Sequence, residues 1–286
     1  MQSRHLTSFT RLIGDDFNEC NGEIEIISNK SCENVYRHNT FVNCEGALTL
    51  RHGNRCTVEG NFFFGNGRPR TGGVRIIGED HKVFNNYFQD LAGADGRAPL
   101  SISQGLVDTP LDGYFQVKNA IIAFNTFVNC GNGLLIGLAD TLTGTSQQTT
   151  LPPVDCRIAN NLVFSTRKKL VDQRITPVNL TWEGNLMFGT SLGISAQAGI
   201  TLADPKLAEA ADRLWRPATD SPALGAAQGD YGFATTDVDG QDRAALKDVG
   251  CDQASVGPVT QRPLTIGDVG PARMALSASA DRKSVV

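Results

Sequence analysis

The stretch YRHNTFVNCEGALTL, Tyr36 to Leu50, holds two short apolar strips, one turning at Asn39 and the next beginning after Gly46. Its first six residues read apolar-x-x-Asn-x-apolar. The same pattern returns as VEGNFF (Val58 to Phe63), VFNNYF (Val83 to Phe88), IAFNTF (Ile122 to Phe127), IANNLV (Ile158 to Val163) and WEGNLM (Trp182 to Met187). LIGDDF (Leu12 to Phe17) fits the slot with Asp15 in place of asparagine. The strip that follows is repeated too, as FNECNGEIEI, FVNCEGALTL and FVNCGNGLLI. Units of two dozen residues, made of short β-type strips with little helical periodicity, predict an all-β parallel β-helix in which the asparagines stack as a ladder. The wider gaps, from Asn86 to Asn125 and from Asn125 to Asn161, predict long loops at roughly 91–119 and 138–155.

The repeat sets the expected organisation. Residues 1–200 form the coils that carry the site, 201–255 an irregular C-terminal end that closes the solenoid, and 256–286 a partly disordered tail. Cys20 and Cys44, like Cys32 and Cys56, are 24 apart and are expected to stack on neighbouring coils, as buried small residues or as a disulfide. Seven cysteines without a CxxC pair indicate neither a zinc site nor a full disulfide framework. The net charge of −4 excludes a wholesale nucleic-acid binder, and no apolar run approaches the length of a membrane span. The first residues lack the apolar segment of a signal peptide.

The chemistry concentrates near GEIEIISNKS, Gly22 to Ser31. Glu23 and Glu25 alternate with Ile24 and Ile26, which predicts two carboxylates on one outward face of a strand. Aligning coils on Gly22, Gly46 and Gly72 adds Arg51 from the second coil and Arg75 from the third, with Lys30 at the end of the first strip. Two readings fit: a salt-bridge ladder on a solvated sheet, or a hard cation held by the paired carboxylates.

Three segments, NKSCENVYRHNTF, LTLRHGNRCTVEGNFFFGNG and TGGVRIIGEDHKVFNNYF, resemble polysaccharide lyase family six, which contains alginate lyases and the dermatan-cleaving chondroitinase B. The likeness is dense over about 22–90 and continues at fold level to RPLTIGDVGP. It implies a right-handed parallel β-helix and β-elimination of uronic-acid polysaccharides, alginate first, with a glycosaminoglycan lyase or a non-catalytic carbohydrate-binding β-helix as alternatives. Residue by residue, the family's calcium-binding glutamates fall on Glu23 and Glu25, its catalytic lysine on Lys30 and its catalytic arginine on Arg51. An arginine that contacts substrate falls on Arg75.

His52, Arg55 and Arg68 are further candidates for a groove that takes a polyanion. The implied cofactor is Ca²⁺. The implied partner is an anionic polysaccharide, met by a monomer or dimer in an extracellular or periplasmic setting, with neither nucleic acid nor membrane. The resemblance also implies that an asparagine from an earlier coil completes the calcium site. One coil before Glu23 falls ahead of residue 1, so weak calcium binding and reduced or absent activity are expected of the chain as given.

Overall fold

The computed structural model describes residues 9–270, in which each of the first six coils contributes three strands. The second coil shows the plan: Val35–Arg37, Thr40–Val42 and Ala47–His52. Stacking coil on coil gives three parallel sheets. The first has seven strands, from Arg11–Ile13 to Thr181–Glu183, and the second has eight, from Asp16–Asn18 to Ile200–Leu202. The third has six, from Glu25–Lys30 to Val171–Gln173. The parallel β-helix predicted from the repeat is the fold.

The corner between the first and second sheets explains the asparagine. The residue before it takes a left-handed backbone, as at His38 (φ 55°), Asn85 (φ 55°) and Phe124 (φ 53°), or is a glycine, as at Gly60 and Gly184. That bend leaves the next backbone N–H aimed along the helix axis, with no strand partner. The asparagine of the following coil satisfies it. Asn61 N–H donates to Asn86 Oδ1 at 3.0 Å and Asn86 N–H to Asn125 Oδ1 at 3.0 Å. The side-chain amides are linked as well, Asn39 to Asn61, Asn61 to Asn86, Asn86 to Asn125 and Asn125 to Asn161 at 2.9 Å, and Asn161 to Asn185 at 3.0 Å. All six asparagines are fully buried.

Inside the second sheet the aromatic of each unit stacks on the next. Phe17, Phe41, Phe63, Phe88 and Phe127 form one column with ring centroids 4.5 to 4.8 Å apart. Such spacing is the strand repeat itself, which lets offset rings meet at contact distance. All seven cysteines are free thiols, six of them buried and Cys20 exposed. Burial pushes the Cys44 thiol up to about 12 and that of Cys56 to about 11.

From Leu207 the chain runs back along the outside of the second sheet. Leu214, Val238 and Cys251 pack on Phe62, Tyr87 and Val128, so that sheet is covered on both faces. Trp215 N–H donates to the Tyr87 hydroxyl, Cys251 N–H to Thr126 Oγ1 and Leu264 N–H to Thr40 Oγ1, each within 2.9 Å. The strap thus reaches the second coil. Of the tail beyond 256, residues 271–286 lie outside the described residues.

Candidate active site

The third sheet carries the candidate residues on its outer face. Its inward columns are apolar: Leu48, Val74, Leu100, Leu134 and Val171 stand in register, as do Leu50, Ile76, Ile102 and Ile136. The intervening column, Thr49, Arg75 and Ser101, faces the other way. The glycine alignment holds between the second and third coils but slips on the first. Ala47 faces Glu25, Thr49 faces Ser28 and His52 faces Lys30, with irregularities on both sides of the Ile27–Ser28 pair. The cause is apolar: the slip lets consecutive Ile26 and Ile27 both pack on the core.

The slip changes the reading of the glutamates. The strand begins at Glu25, leaving Glu23 exposed in the bend before it, where its carboxylate accepts the Ile24 N–H at 3.3 Å. Ile24, expected in the core, points to the site side instead. A Cβ on Gly96 would meet Ile24 Cδ1 at 2.9 Å and Arg75 Nη1 at 3.4 Å. Strict alternation over Gly22 to Ser31 fails for that reason.

Glu25, Arg51 and Arg75 do come together. Glu25 Oε1 lies 3.5 Å from Arg51 Nη1 and 3.9 Å from Arg75 Nη1. Arg75 is buried, at 2% exposure, where a single open face had been expected. Its firm partner is Asp140, at 2.6 Å, on the loop after Leu138. Tyr114, from the loop after Ser103, covers both guanidiniums. Two long loops therefore bring an aromatic face and a carboxylate that the strip pattern did not reveal. Their lengths were legible, but their contacts lie 39 to 65 residues away in sequence from the arginines they touch.

Lys30 sits on the same outer face. Ser28 and Lys30 are exposed while Asn29 between them is buried, and the ammonium has no ion-pair partner among the described residues. Asn29 pins this end of the strip. Its amide nitrogen donates to His52 O at 2.6 Å and Ser31 O at 2.9 Å, and its oxygen accepts from Asn34 Nδ2 at 2.6 Å and the Tyr36 hydroxyl at 2.7 Å. Gly53 then ends the second strip at φ +86°, and a Cβ there would lie 2.3 Å from Ser31 O. His52 is half-buried beside Arg51.

The remaining candidates divide between the two edges of the sheet. Arg68 pairs with Glu19 at 2.5 Å on the turn that leads into the sheet, next to Arg70 with Glu45. Arg55 pairs with Glu33 at 3.0 Å on the turn that leaves it. Arg55 also lines a cleft of about 780 Å³ together with Lys118, Glu79, Asp80 and Asp108. Three acids against two bases make that cleft a poor trap for a polyanion.

The donor set suits a hard divalent cation. Glu25 accepts no hydrogen bond among the described residues, its two ion pairs are long, and Glu23 is engaged only by one backbone N–H, so both carboxylates keep oxygens to offer. A separate cluster, Asp237, Asp239 and Asp252, lies on the strap with its ligand oxygens within 4.8 Å. There Arg216 already fills the ion's place, pairing with Asp239 at 2.7 Å and Asp252 at 2.9 Å, and backbone N–H groups of Asp239, Gln241 and Gln253 bond Asp237.

The fold is a parallel β-helix that carries glutamate, lysine and arginine side chains on the outer face of its third sheet. The chain belongs to the chondroitinase B family, whose sequence model matches residues 3–229. No curated protein matches it. Among solved structures it is similar to a point mutant of the polysaccharide lyase family 6 alginate lyase AlyGC, at 28% identity and a TM-score of 0.75, covering 94% of this chain and 32% of that one. It is also similar to a mannuronic acid specific family 6 lyase from human gut microbiota, at 29% identity and a TM-score of 0.56, covering 71% of this chain and 46% of that one. A family 6 alginate lyase bound to a trisaccharide shares the fold at 24% identity and a TM-score of 0.64, covering 75% of this chain and 48% of that one. The chain spans a third to a half of the length of these proteins. Among the described residues no helix is long and apolar enough to cross a membrane.

Proposed function

We propose that the outer face of the third sheet is the active site of a lyase that cleaves uronic-acid polymers, alginate first, by β-elimination. The observation that carries this reading is the meeting of Glu25 and Arg51 beside Lys30, in a chain whose relatives at 28 to 29% identity are named as alginate or mannuronic acid lyases.

A uronate C5 proton is weakly acidic because the adjacent carboxylate is already negative. Lys30 is the general base that removes that proton. Arg51 faces the leaving O4 and the charge that develops, as electrostatic stabiliser or as donor through water. Arg75 is too buried to grip a polymer, so its part is to steady Glu25, 3.9 Å away, from a position fixed by Asp140. Glu23 and Glu25 would hold Ca²⁺, which when bound supplies neutralisation of the substrate carboxylate. His52 and Arg68 are assigned to the flanks of the polymer path, Arg55 only to its outer edge because of the acids around it, and secretion to the protein's setting.

The test is ultraviolet absorbance of the unsaturated uronate product on alginate, dermatan sulfate and pectate. Alginate should give signal, Lys30→Ala should abolish it without changing the thermal unfolding midpoint, and a calcium chelator should lower it. Product from dermatan sulfate alone would move the assignment to a glycosaminoglycan lyase. Normal turnover by Lys30→Ala would refute the base.

A further inference from the structure

Tyr114 has no place in the strip pattern, yet its ring lies over the Arg51 guanidinium. The ring centroid lies 4.3 Å from Arg51 Cζ and 5.6 Å from Arg75 Cζ. The ring is 6% exposed and is backed by Ile77, Leu106 and Leu142. Its loop is tied down at several points. Leu106 N–H donates to Tyr114 O at 2.8 Å, Gly105 N–H to Leu151 O at 2.9 Å, and Gln116 Nε2 to Pro152 O at 2.8 Å. The ring is therefore a fixed surface.

Arg51 needs such a surface. Its carboxylate contact, Glu25 at 3.5 Å, is longer than a charge-assisted hydrogen bond and leaves the long side chain loosely held on that side. Arg75 does not share this need, since Asp140 and Ser103 also engage it. A cation over an aromatic face is attracted by the ring quadrupole, more strongly where water is thinned out, and the planar guanidinium stacks well.

We propose that Tyr114 is a positioning residue for Arg51: its ring face, not its hydroxyl, fixes the guanidinium toward the substrate. The proposal rests on the reading of Arg51 as part of the lyase site.

Two variants of the full chain test it, Tyr114→Phe and Tyr114→Leu, the second keeping apolar bulk over Ile77 and Leu106. The Arg51 Nε–Hε resonance, identified by its loss in Arg51→Lys, should be displaced upfield by the ring in the parent and in Tyr114→Phe, and should move back in Tyr114→Leu. On alginate, Tyr114→Phe should keep kcat within about twofold, while Tyr114→Leu should lower kcat by about 10- to 100-fold with KM changed by less than about threefold. An Arg51 resonance indifferent to Tyr114→Leu overturns the proposal. So does a loss in Tyr114→Phe as large as in Tyr114→Leu, which would give the hydroxyl a chemical role. If Lys30→Ala and Arg51→Ala both leave turnover unchanged, the lyase reading fails, and the resonance still decides whether the ring holds Arg51.

Discussion

Lys30 owes its place to a neighbour that points the other way. Asn29 stands where an inward strand position would take an apolar residue, and it uses both amide groups to tie the first coil to the second. His81 does comparable work two coils further along. It is fully buried, its Nδ1 accepts the Cys56 N–H at 3.1 Å, and so its Nε2–H donates to Ile77 O at 2.9 Å. Only the neutral ring can do both. Burial, the largest cause, lowers its pKa from 6.5 to about 4. The unfolded chain therefore binds more protons between those values. The stability His81 contributes is fully present above pH 6.5 and is lost as the pH falls to about 4. The loss should be on the order of 3 kcal/mol. Urea midpoints measured from pH 7 to 4 should fall, and His81→Gln should flatten the fall; an unchanged slope would assign it elsewhere.

At the scale of the element, the asparagine ladder makes a graded prediction. Asn86 sits mid-ladder: its oxygen accepts from the backbone and side chain of Asn61, and its nitrogen donates to Val58 O, Phe84 O and Asn125 Oδ1. Asn39, near the first coil, accepts only from Asp15 N–H and donates to Leu12 O and Asn61 Oδ1. Truncation strands the partners in a dry interior, where each unmet group costs about 1–3 kcal/mol. Asn86→Ala should thus destabilise by about 3–5 kcal/mol and Asn39→Ala by about half as much, summing those unmet groups. Chemical-unfolding midpoints compare the two directly, and equal losses would mean that the ladder does not act through its rungs.

Across the whole molecule, the strap depends on one arginine. Arg216 holds Asp212, Asp239 and Asp252 together under the second sheet. Desolvation, the largest cause, raises the Asp239 pKa to about 6 even with Arg216 present. Removing the cation leaves buried like charges, so Arg216→Met should cost about 3–5 kcal/mol at pH 7. Protonation relieves the repulsion, so the deficit should shrink at pH 5. Thermal unfolding at both pH values checks this, and a deficit that grows on acidification would contradict it. Loss of the strap would also uncover Phe62, Tyr87 and Val128.

The sequence by itself determined the solenoid. Each Asn-bearing corner is a local event with a local signature, a left-handed residue followed by a side chain that must bond the next coil, and six copies make the stacking unambiguous. The placing of Arg51 and Arg75 near Glu25 was legible for the same reason, because stacked strips bring residues one period apart into contact. The register of the first strip was not legible. Two adjacent isoleucines competed for the core, and packing rather than alternation decided which side Glu23 and Ile24 would take. Tertiary structure alone decided the rest: Tyr114 over Arg51, Asp140 on Arg75 and the strap against the second sheet. Those contacts are made by loops and turns that carry no period, so nothing short of the folded chain could bring them to the site.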